Sequence, residues 1–511
     1  MTELAAPQLE VDLLILGSAA LLLVGAVATG LAERARIPSL VIFLGIGMLV
    51  ADDGLALVRF DDAELARNLA VVALTIILFE GGLSTSWSRL RPRLAPAGAL
   101  ATVGVVLTAG LVAVAAAVIL DLDATTALLL GAVISSTDAA AVFAVLRRAP
   151  VQGRLRDTLE AESGLNDPMA ILLTIGLVAA STTDLQAADW FWFGARQLLL
   201  GLAVGLAIGV VAATTLRRLP LPTLALRPVV AAAFGQAAYA LGALAGASGF
   251  LAVYVCGIVI ANLDPRDRRA IRLFHETLAS MAQMGLFFLL GILVFPSQLP
   301  AVALRAAAVA VALFLVARPL AVAVCLLPLR WRVREVTFVA WGGLRGAVPI
   351  VLATFPLTAG DPDGTLVFDV VFFVVLLSAV VQGPTLVPLA RRLGLHAEGR
   401  PADLVAELNP VDGIDADLVE VQVVASCPAV RGPLREHPPP AGARILLVVR
   451  EATSFVPDGA TVLADGDHLV ISGPAGGIDP RAVERWLLGR DAPDGPEPPQ
   501  PDARDVGGTH G

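Results

Sequence analysis

The sequence predicts a polytopic α-helical membrane protein of about 13 transmembrane helices, followed by a small α+β domain at the C-terminus. Its 511 residues are 57% hydrophobic and only 16% charged, with a mean hydropathy of +0.79. A soluble chain needs more charge to cover its surface, so the lipid bilayer is the solvent for most of this protein. Beyond residue 393 the apolar runs stop, and Asp and Glu outnumber Arg.

Thirteen apolar runs are long enough to cross a bilayer, which takes about 20 helical residues. They lie near residues 11–31, 38–58, 66–84, 94–120, 124–147, 156–180, 190–216, 228–247, 249–263, 273–296, 301–327, 335–357 and 365–390. No basic residue precedes the first run, and there is no clear small-residue cleavage site. We therefore expect a retained span and not a signal peptide. Arg residues fall mainly in loops after odd-numbered spans, and basic loops stay cytoplasmic. We therefore predict an inner (plasma) membrane protein with its N-terminus outside and its C-terminal domain in the cytoplasm.

The thirteen spans divide into six, a connector and six, which predicts two six-helix inverted repeats. Polar residues 135–138 interrupt the fifth span of one half, and glycine-rich residues 342–346 interrupt the fifth span of the other. Interrupted helices at matching positions of two halves are typical of a transporter binding site, because unwound backbone and helix ends meet there. We therefore predict two broken helices that cross inside the membrane.

The C-terminal part has a different pattern from the rest of the chain. We assign residues 1–393 to the transmembrane domain, 394–403 to a linker, 404–490 to a cytoplasmic domain and 491–511 to a disordered tail. Apolar residues that alternate near 421, 447 and 470 predict strands, and residues 482–488 predict a closing helix. The tail is rich in Pro, Gly and Asp, which do not build a packed core.

Ionisable side chains inside the spans are costly to bury, so they indicate an ion pathway through the bundle. Those we identify are Glu80, Asp138, Glu162, Asp167, Arg318 and Arg345. Helical spacing places Ser163, Asn166 and Asp167 on one face of the sixth span. A carboxyl group away from water holds a proton strongly, so a proton and an alkali cation compete for the same oxygen. We predict that Asp167 binds one or the other; the alternative is that residues 162–167 only cap a helix start.

Two candidate site residues allow a second interpretation. Thr137 and Asp138 fit either a helix end that faces the cytoplasm or a break within the membrane, and apolar residues on both sides favour the break. Glu80 lies near the end of its span, so it is either a solvated helix end or part of the site.

The arginines are predicted to have structural roles. Arg345 cannot lose its proton, so it needs a buried partner, and Glu162 is the one we predict. Arg318 either pairs inside the core or extends toward the interface. No enzyme chemistry is predicted in the membrane part, because His275 is its only His and Ser163 has no nearby base. Three scattered Cys give no metal-ligand spacing.

Five stretches together resemble the bacterial monovalent cation/proton antiporters of the NhaP type, in particular the potassium/proton branch associated with cell-volume regulation. They are residues 79–83, 136–142, 162–168, 317–319 and 341–349. Each stretch alone is a weak signal, but five in order at matching spans are specific, and the similarity covers essentially the whole chain. One departure is Ala139 after Asp138, where many relatives carry a bulkier residue or Pro.

This resemblance implies a homodimer in the lipid bilayer, with an ion-carrying core that moves by elevator-like rocking against a scaffold. Spans one to three and eight to ten would form the scaffold and the interface. The resemblance places Asp167, Ser163, Thr137 and Glu80 around a monovalent cation, and it pairs Glu162 with Arg345. Asn166, in place of a second Asp, implies electroneutral one-for-one exchange.

Residues 404–490 resemble the TrkA-C domain that regulates potassium channels and transporters, chiefly in residues 435–445. Such domains pair and bind small effectors, but no glycine-rich loop here names one. The predicted function is potassium/proton exchange for cell volume, potassium and pH homeostasis, with no cofactor and no nucleic-acid partner. Sodium/proton exchange by the same fold stays open. An effector-gated cation channel is the alternative of another class, although the carbonyl-lined pore repeats of such channels are absent.

Overall fold

The structure is a computed structural model, in which the chain forms two compact units, Met1–Ala397 and Glu398–Gly511. The structure describes residues 6–487 except 36–38, 59, 61, 139–141, 143–150, 152, 181–186, 220–222, 224, 264–267, 396–406, 411–415, 424, 426, 451–452 and 475–479. Most of the predicted linker 394–403 and all of the predicted tail 491–511 lie outside the described residues.

The described elements of the first unit are helices, which we number in chain order. They are α1 (Ala6–Ala35), α2 (Ser39–Val50), α3 (Ala63–Ser84), α4 (Arg91–Leu120), α5 (Ala124–Val133), α6 (Gly153–Ala180), α7 (Ala187–Arg218), α8 (Leu226–Leu244), α9 (Gly249–Leu263), α10 (Arg268–Ile292), α11 (Leu299–Leu326), α12 (Val333–Gly342), α13 (Ala347–Thr358) and α14 (Gly364–Arg392). The single turn Trp87–Leu90 precedes α4.

Seven of the described helices are long and apolar enough to cross a membrane, and the bent pair α12 and α13 makes an eighth candidate. The seven are α3, α4, α6, α7, α10, α11 and α14, which coincide with predicted spans. Shorter helices such as α9, with 15 residues, reach about 22 Å at 1.5 Å per residue, less than the roughly 30 Å of a hydrocarbon core. The chain is therefore a multi-pass helical membrane protein, as predicted.

The second predicted span, near 38–58, is too long. α2 ends at Val50, and residues 51–55 turn back on it, with the N–H of Gly54 donating to the carbonyl of Ala51. The carboxylate of Asp53 then accepts the N–H of Ser297 at 2.7 Å, which ties this turn to the segment before α11. Polar residues of the turn find partners outside the helix, so the apolar pattern overestimates its length.

Three helices contain a single wide turn. The turns are Leu100–Gly104 in α4, Leu313–Ala317 in α11 and Ser378–Gln382 in α14. Such turns insert an extra residue, redirect side chains and recur at functional positions. Arg318 follows directly after the second of these turns.

Glycines allow helices to touch backbone to backbone at several crossings. A Cβ on Gly47 of α2 or Gly291 of α10 would overlap the other helix, and the same holds for Gly82 of α3 and Gly257 of α9. Small residues at crossings are typical of helix packing in membranes, because they allow close van der Waals contact. The second pair brings Tyr254 of α9 next to the end of α3.

The second unit is a five-stranded antiparallel sheet with one helix, which confirms the predicted sheet-containing domain. The elements are β1 (Glu407–Pro410), β2 (Ala416–Gln422), β3 (Arg444–Arg450), β4 (Thr453–Phe455), β5 (His468–Pro474) and α15 (Pro480–Leu487). The strand order is β1-β2-β5-β3-β4, with Val421 opposite Leu469. Val483 and Leu487 of α15 pack into the same apolar core as Val421 and Leu469.

Candidate functional site

Two interrupted segments meet in the first unit. α5 ends at Val133, and residues 134–138 after it are not helical, as predicted for the fifth span. α12 and α13 are inclined by 54° where residues 343–346 leave the helix. The N–H of Asp138 donates to the carbonyl of Leu344 at 2.8 Å, so one interrupted backbone is hydrogen-bonded to the other.

Two glycines make this close approach possible. A Cβ on Gly346 would overlap the carboxylate of Asp138, and a Cβ on Gly343 would lie 2.8 Å from the Nε of Arg318. Glycine is the residue that lacks this atom. Both glycines of the interrupted segment therefore lie where a charged side chain from another segment contacts the backbone.

Arg345 binds the backbone of the other interrupted segment. Its Nη1 donates to the carbonyls of Ser135 at 3.1 Å and Ser136 at 2.7 Å, and the side chain is buried. A helix that stops in the protein interior leaves its last carbonyls without helical partners. Each of these carbonyls needs a hydrogen-bond donor from elsewhere. The fixed positive charge of Arg345 thus stabilises the end of α5.

Glu162 forms its ion pair with Arg318 in the structure, whereas the predicted partner was Arg345. The Nη2 of Arg318 lies 2.6 Å from the Oε1 of Glu162, and both side chains are buried. The physical reason is the break itself, since the Nη1 of Arg345 is directed to the carbonyls of Ser135 and Ser136. Arg318 therefore takes the buried-pair role that was one of its two predicted alternatives.

The candidate cation site lies where α6 meets the end of α5. Thr137 and Ser163 share a hydrogen bond between their hydroxyls at 2.8 Å, and the Nδ2 of Asn166 donates to the Thr137 hydroxyl at 2.7 Å. Asp167 follows on the same face of α6, one turn after Ser163, and is buried. Of the residues predicted for the site, Thr137, Ser163 and Asn166 are thus hydrogen-bonded to one another.

Several oxygens of this site are buried and have no donor among the described residues. The Oδ1 of Asp167, the Oδ1 of Asn166 and the Oγ of Ser136 have no hydrogen-bond partner among the described residues. Buried polar atoms are normally paired, so each exception requires an explanation. Hard oxygen ligands suit an alkali cation, and a carboxylate also suits a proton.

Asp138 and Glu80 contribute in different ways. Asp138 lies at the crossing, where its backbone N–H donates to the carbonyl of Leu344. Glu80 is half-buried, and its Oε1 accepts the hydroxyl of Ser84 in the same helix at 2.6 Å. Among the described contacts, none joins Glu80 to Thr137 or Ser163, so the geometry does not bring Glu80 into the cluster.

Two buried residues, Tyr254 beside α6 and Asp369 in α14, were not identified from the sequence. Tyr254 of α9 places its hydroxyl against Gly164, where a Cβ would overlap it, and 3.4 Å from the hydroxyl of Thr85. Asp369 of α14 is a further buried carboxylate within a span. An aromatic residue in an apolar helix gives no sequence signal for Tyr254, but Asp369 meets the same criterion as the other buried charges.

Two family profiles match the chain. Residues 19–392 match the profile described as sodium/hydrogen exchanger, transmembrane, and residues 418–479 match the TrkA-C domain. The K(+)/H(+) antiporter NhaP of Alkalimonas amylolytica is 40% identical over 451 residues, which cover 86% of this chain and 78% of that protein. The K(+)/H(+) antiporter NhaP2 of Shewanella baltica is 37% identical, with coverages of 87% and 78%.

A solved structure shares the fold of the first unit. It is the sodium proton antiporter MjNhaP1 from Methanocaldococcus jannaschii at pH 8, which aligns with a TM-score of 0.67 over 75% of this chain and 99% of that chain. At 22% identity, the likeness concerns the fold alone. The exchanger profile and the two relatives each cover well over half of the chain, so the chain belongs to the sodium/hydrogen exchanger family and is a monovalent cation/proton antiporter, not an enzyme.

Proposed function

We propose that this antiporter exchanges potassium ions for protons, and that the two ions compete for the carboxylate of Asp167. The observation that carries the proposal is the buried Oδ1 of Asp167, which has no donor among the described residues. Support for potassium comes from the two relatives described above, both named K(+)/H(+) antiporters.

Competition at one carboxylate couples the two ions. The proton and the cation need the same oxygen, so binding one requires release of the other, and each passage through the membrane carries one or the other. Thr137, Ser163 and Asn166 supply neutral oxygens beside the carboxylate, so a dehydrated cation gains several ligands without added charge. With Asn166 before Asp167, a single titrating group serves the pair, which supports one-for-one electroneutral exchange.

The wider architecture is part of this proposal. Thirteen spans in two six-helix inverted repeats would place the interrupted segments at the centre of the bundle. The Arg distribution supports an inner-membrane protein with its N-terminus outside and its C-terminal unit in the cytoplasm. Alternating access in a homodimer completes the proposed mechanism, and Glu80 would face the passing cation.

Residues 404–490 would regulate this exchange by binding a small effector. The support is the TrkA-C match over residues 418–479 and the compact sheet of the second unit. The effector would act by binding one state of the transporter more tightly than the other.

The test measures cation-driven proton flux in proteoliposomes that contain the purified protein and a pH-sensitive dye. Asp167→Asn keeps the size of the side chain but removes its proton site, so we expect flux to fall to that of protein-free vesicles while elution and melting stay as in the parent. Glu160→Gln is the control, since it removes a carboxylate charge from the same helix at a partly exposed position, and we expect it to retain exchange. Potassium-driven flux at the parental rate in Asp167→Asn would refute the proposal.

Sodium/proton exchange is separated by the choice of cation. Potassium, sodium and lithium are added in turn between about pH 6 and about pH 9, and potassium is expected to give the lowest apparent KM. A lower KM for sodium would support the sodium alternative. A channel would instead pass the cation without any opposing proton flux, and the rate would depend on membrane voltage.

A further inference from the structure

We propose that Ser378 and Gln382 are positioning residues that hold the interrupted segment α12–α13 and thereby shape the cation site from outside it. The proposal rests on the proposed function, because it assigns their effect to cation binding at Asp167. Neither residue belongs to the cluster around Asp167, and both lie in the wide turn Ser378–Gln382 of α14.

The first step is the hydrogen bonding of Ser378. Its hydroxyl accepts the backbone N–H of Arg345 at 2.9 Å and donates to the Oε1 of Gln382 at 2.6 Å. Ser378 and Gln382 are four residues apart and lie on one face of α14. Both are completely or almost completely buried, with exposed fractions of 0% and 1%, although Val380 of the same turn is exposed.

The second step is the contact of Gln382 with the other side of the break. Its Nε2 donates to the carbonyl of Trp341 at 3.1 Å. The interruption at residues 343–346 leaves carbonyls before it and N–H groups after it without helical partners. One side-chain pair thus satisfies a carbonyl at the end of α12 and an N–H just before α13.

The third step leads from Arg345 to the site. The backbone of Arg345 is held by Ser378, and its side chain donates to the carbonyls of Ser135 and Ser136. The next residue, Thr137, binds Ser163 and Asn166. Three consecutive contacts therefore join α14 to the hydroxyl beside Asp167.

Packing alone does not explain these residues. An apolar side chain would fill the same space in an apolar helix at lower desolvation cost, whereas a buried hydroxyl and amide are tolerated only with their hydrogen bonds made. Among the described residues, the side chains of Ser378 and Gln382 bond to each other and to the backbone on the two sides of the break. The matched chemistry points to a positioning role.

The experiment compares apparent KM values for potassium in proteoliposomes, with the rate expressed per folded transporter. Ser378→Ala removes the acceptor for the Arg345 N–H, and we expect the KM to rise about tenfold while the maximal rate changes less than about threefold. Gln382→Met keeps the length of the side chain but not its amide, and we expect a similar rise. Ser378→Thr keeps the hydroxyl and is expected to restore the parental KM.

Thr385→Val is the control, because the Thr385 hydroxyl accepts the Nε1 of Trp341 at 2.9 Å on the exposed side of the same helix. We expect its KM to match the parent. Parental KM values in both Ser378→Ala and Gln382→Met, or an equal rise in Thr385→Val, would overturn the inference. Loss of cation-driven flux in the parent protein with potassium, sodium and lithium would instead overturn the proposed function, so the two failures are distinguishable.

Discussion

Glu162→Gln is the substitution whose effect on stability follows most directly from the structure. It removes the negative charge of Glu162, which is 0% exposed, and leaves the Arg318 guanidinium, 2% exposed, without the carboxylate that lies 2.6 Å from it. The guanidinium also packs on Gly343, so it does not reach solvent without moving the interrupted segment. Breaking a buried ion pair from one side destabilises a protein by about 3–5 kcal/mol.

That loss lowers the ratio of folded to unfolded protein by roughly 150- to 5,000-fold, at about 1.4 kcal/mol for each factor of ten. The assay is thermal unfolding of the detergent-solubilised protein, together with the folded yield measured by size-exclusion chromatography. Glu160→Gln is the matched control on the same helix, because Glu160 and its partner Arg156 are 25% and 34% exposed. An exposed pair of this kind contributes less than about 1 kcal/mol.

The double variant Glu162→Gln with Arg318→Met tests the cause. Removing both charges takes away the unpaired cation, so we expect much of the lost stability to return. A melting temperature for Glu162→Gln equal to that of Glu160→Gln would contradict the reasoning. The same holds for a double variant that is less stable than Glu162→Gln alone.

Two further predictions concern packing and pH. Gly164→Ala puts a Cβ into the hydroxyl of Tyr254, so we expect a loss of about 1–3 kcal/mol in unfolding, whereas Gly285→Ala, with open space around it, is expected to be neutral or stabilising. Equal melting temperatures would count against the predicted overlap. In the second unit, burial raises the pKa of Asp467, but hydrogen bonds from Arg450 and from the Ala464 N–H outweigh it, and the net pKa is below the ordinary 3.8. The stabilisation is therefore full above about pH 4 and is lost as pH falls through the lowered pKa of the folded state. Asp467→Asn should speed hydrogen exchange of β3 and β5 in the full chain near pH 7, with a difference that shrinks below pH 4; a constant difference would contradict this.

Much of the membrane fold could be predicted from the sequence, because the bilayer imposes a length on apolar runs. The span predicted near 94–120 corresponds to Arg91–Leu120, and the span predicted near 365–390 corresponds to Gly364–Arg392. The end of α2 at Val50 could not be read in this way, because the residues after it are also mostly apolar. The small strands β1 and β4 were missed, since runs of four and three residues show no clear alternation.

The candidate site was predicted in part, and the partner of Glu162 is where the structure differs from the prediction. Spacing along one helix was enough to place Ser163, Asn166 and Asp167 together. The partner of Glu162 depends instead on the broken segment. Arg345 donates to the carbonyls of Ser135 and Ser136, and Arg318 pairs with Glu162. A broken helix implies carbonyls in need of donors, and that argument, applied to residues 135–136, would have assigned them Arg345.

The glycine contacts of the helix bundle also determine how closely its helices approach one another. Between α3 and α9, Gly82 and Gly257 bring backbone against backbone, so no side-chain rearrangement changes the distance between these two helices. Between α9 and α6, the tip of the buried Tyr254 side chain fills the space beside Gly164. A larger residue at Gly82 or Gly257 would therefore force two backbones apart, whereas a larger residue at Gly164 would meet a side chain.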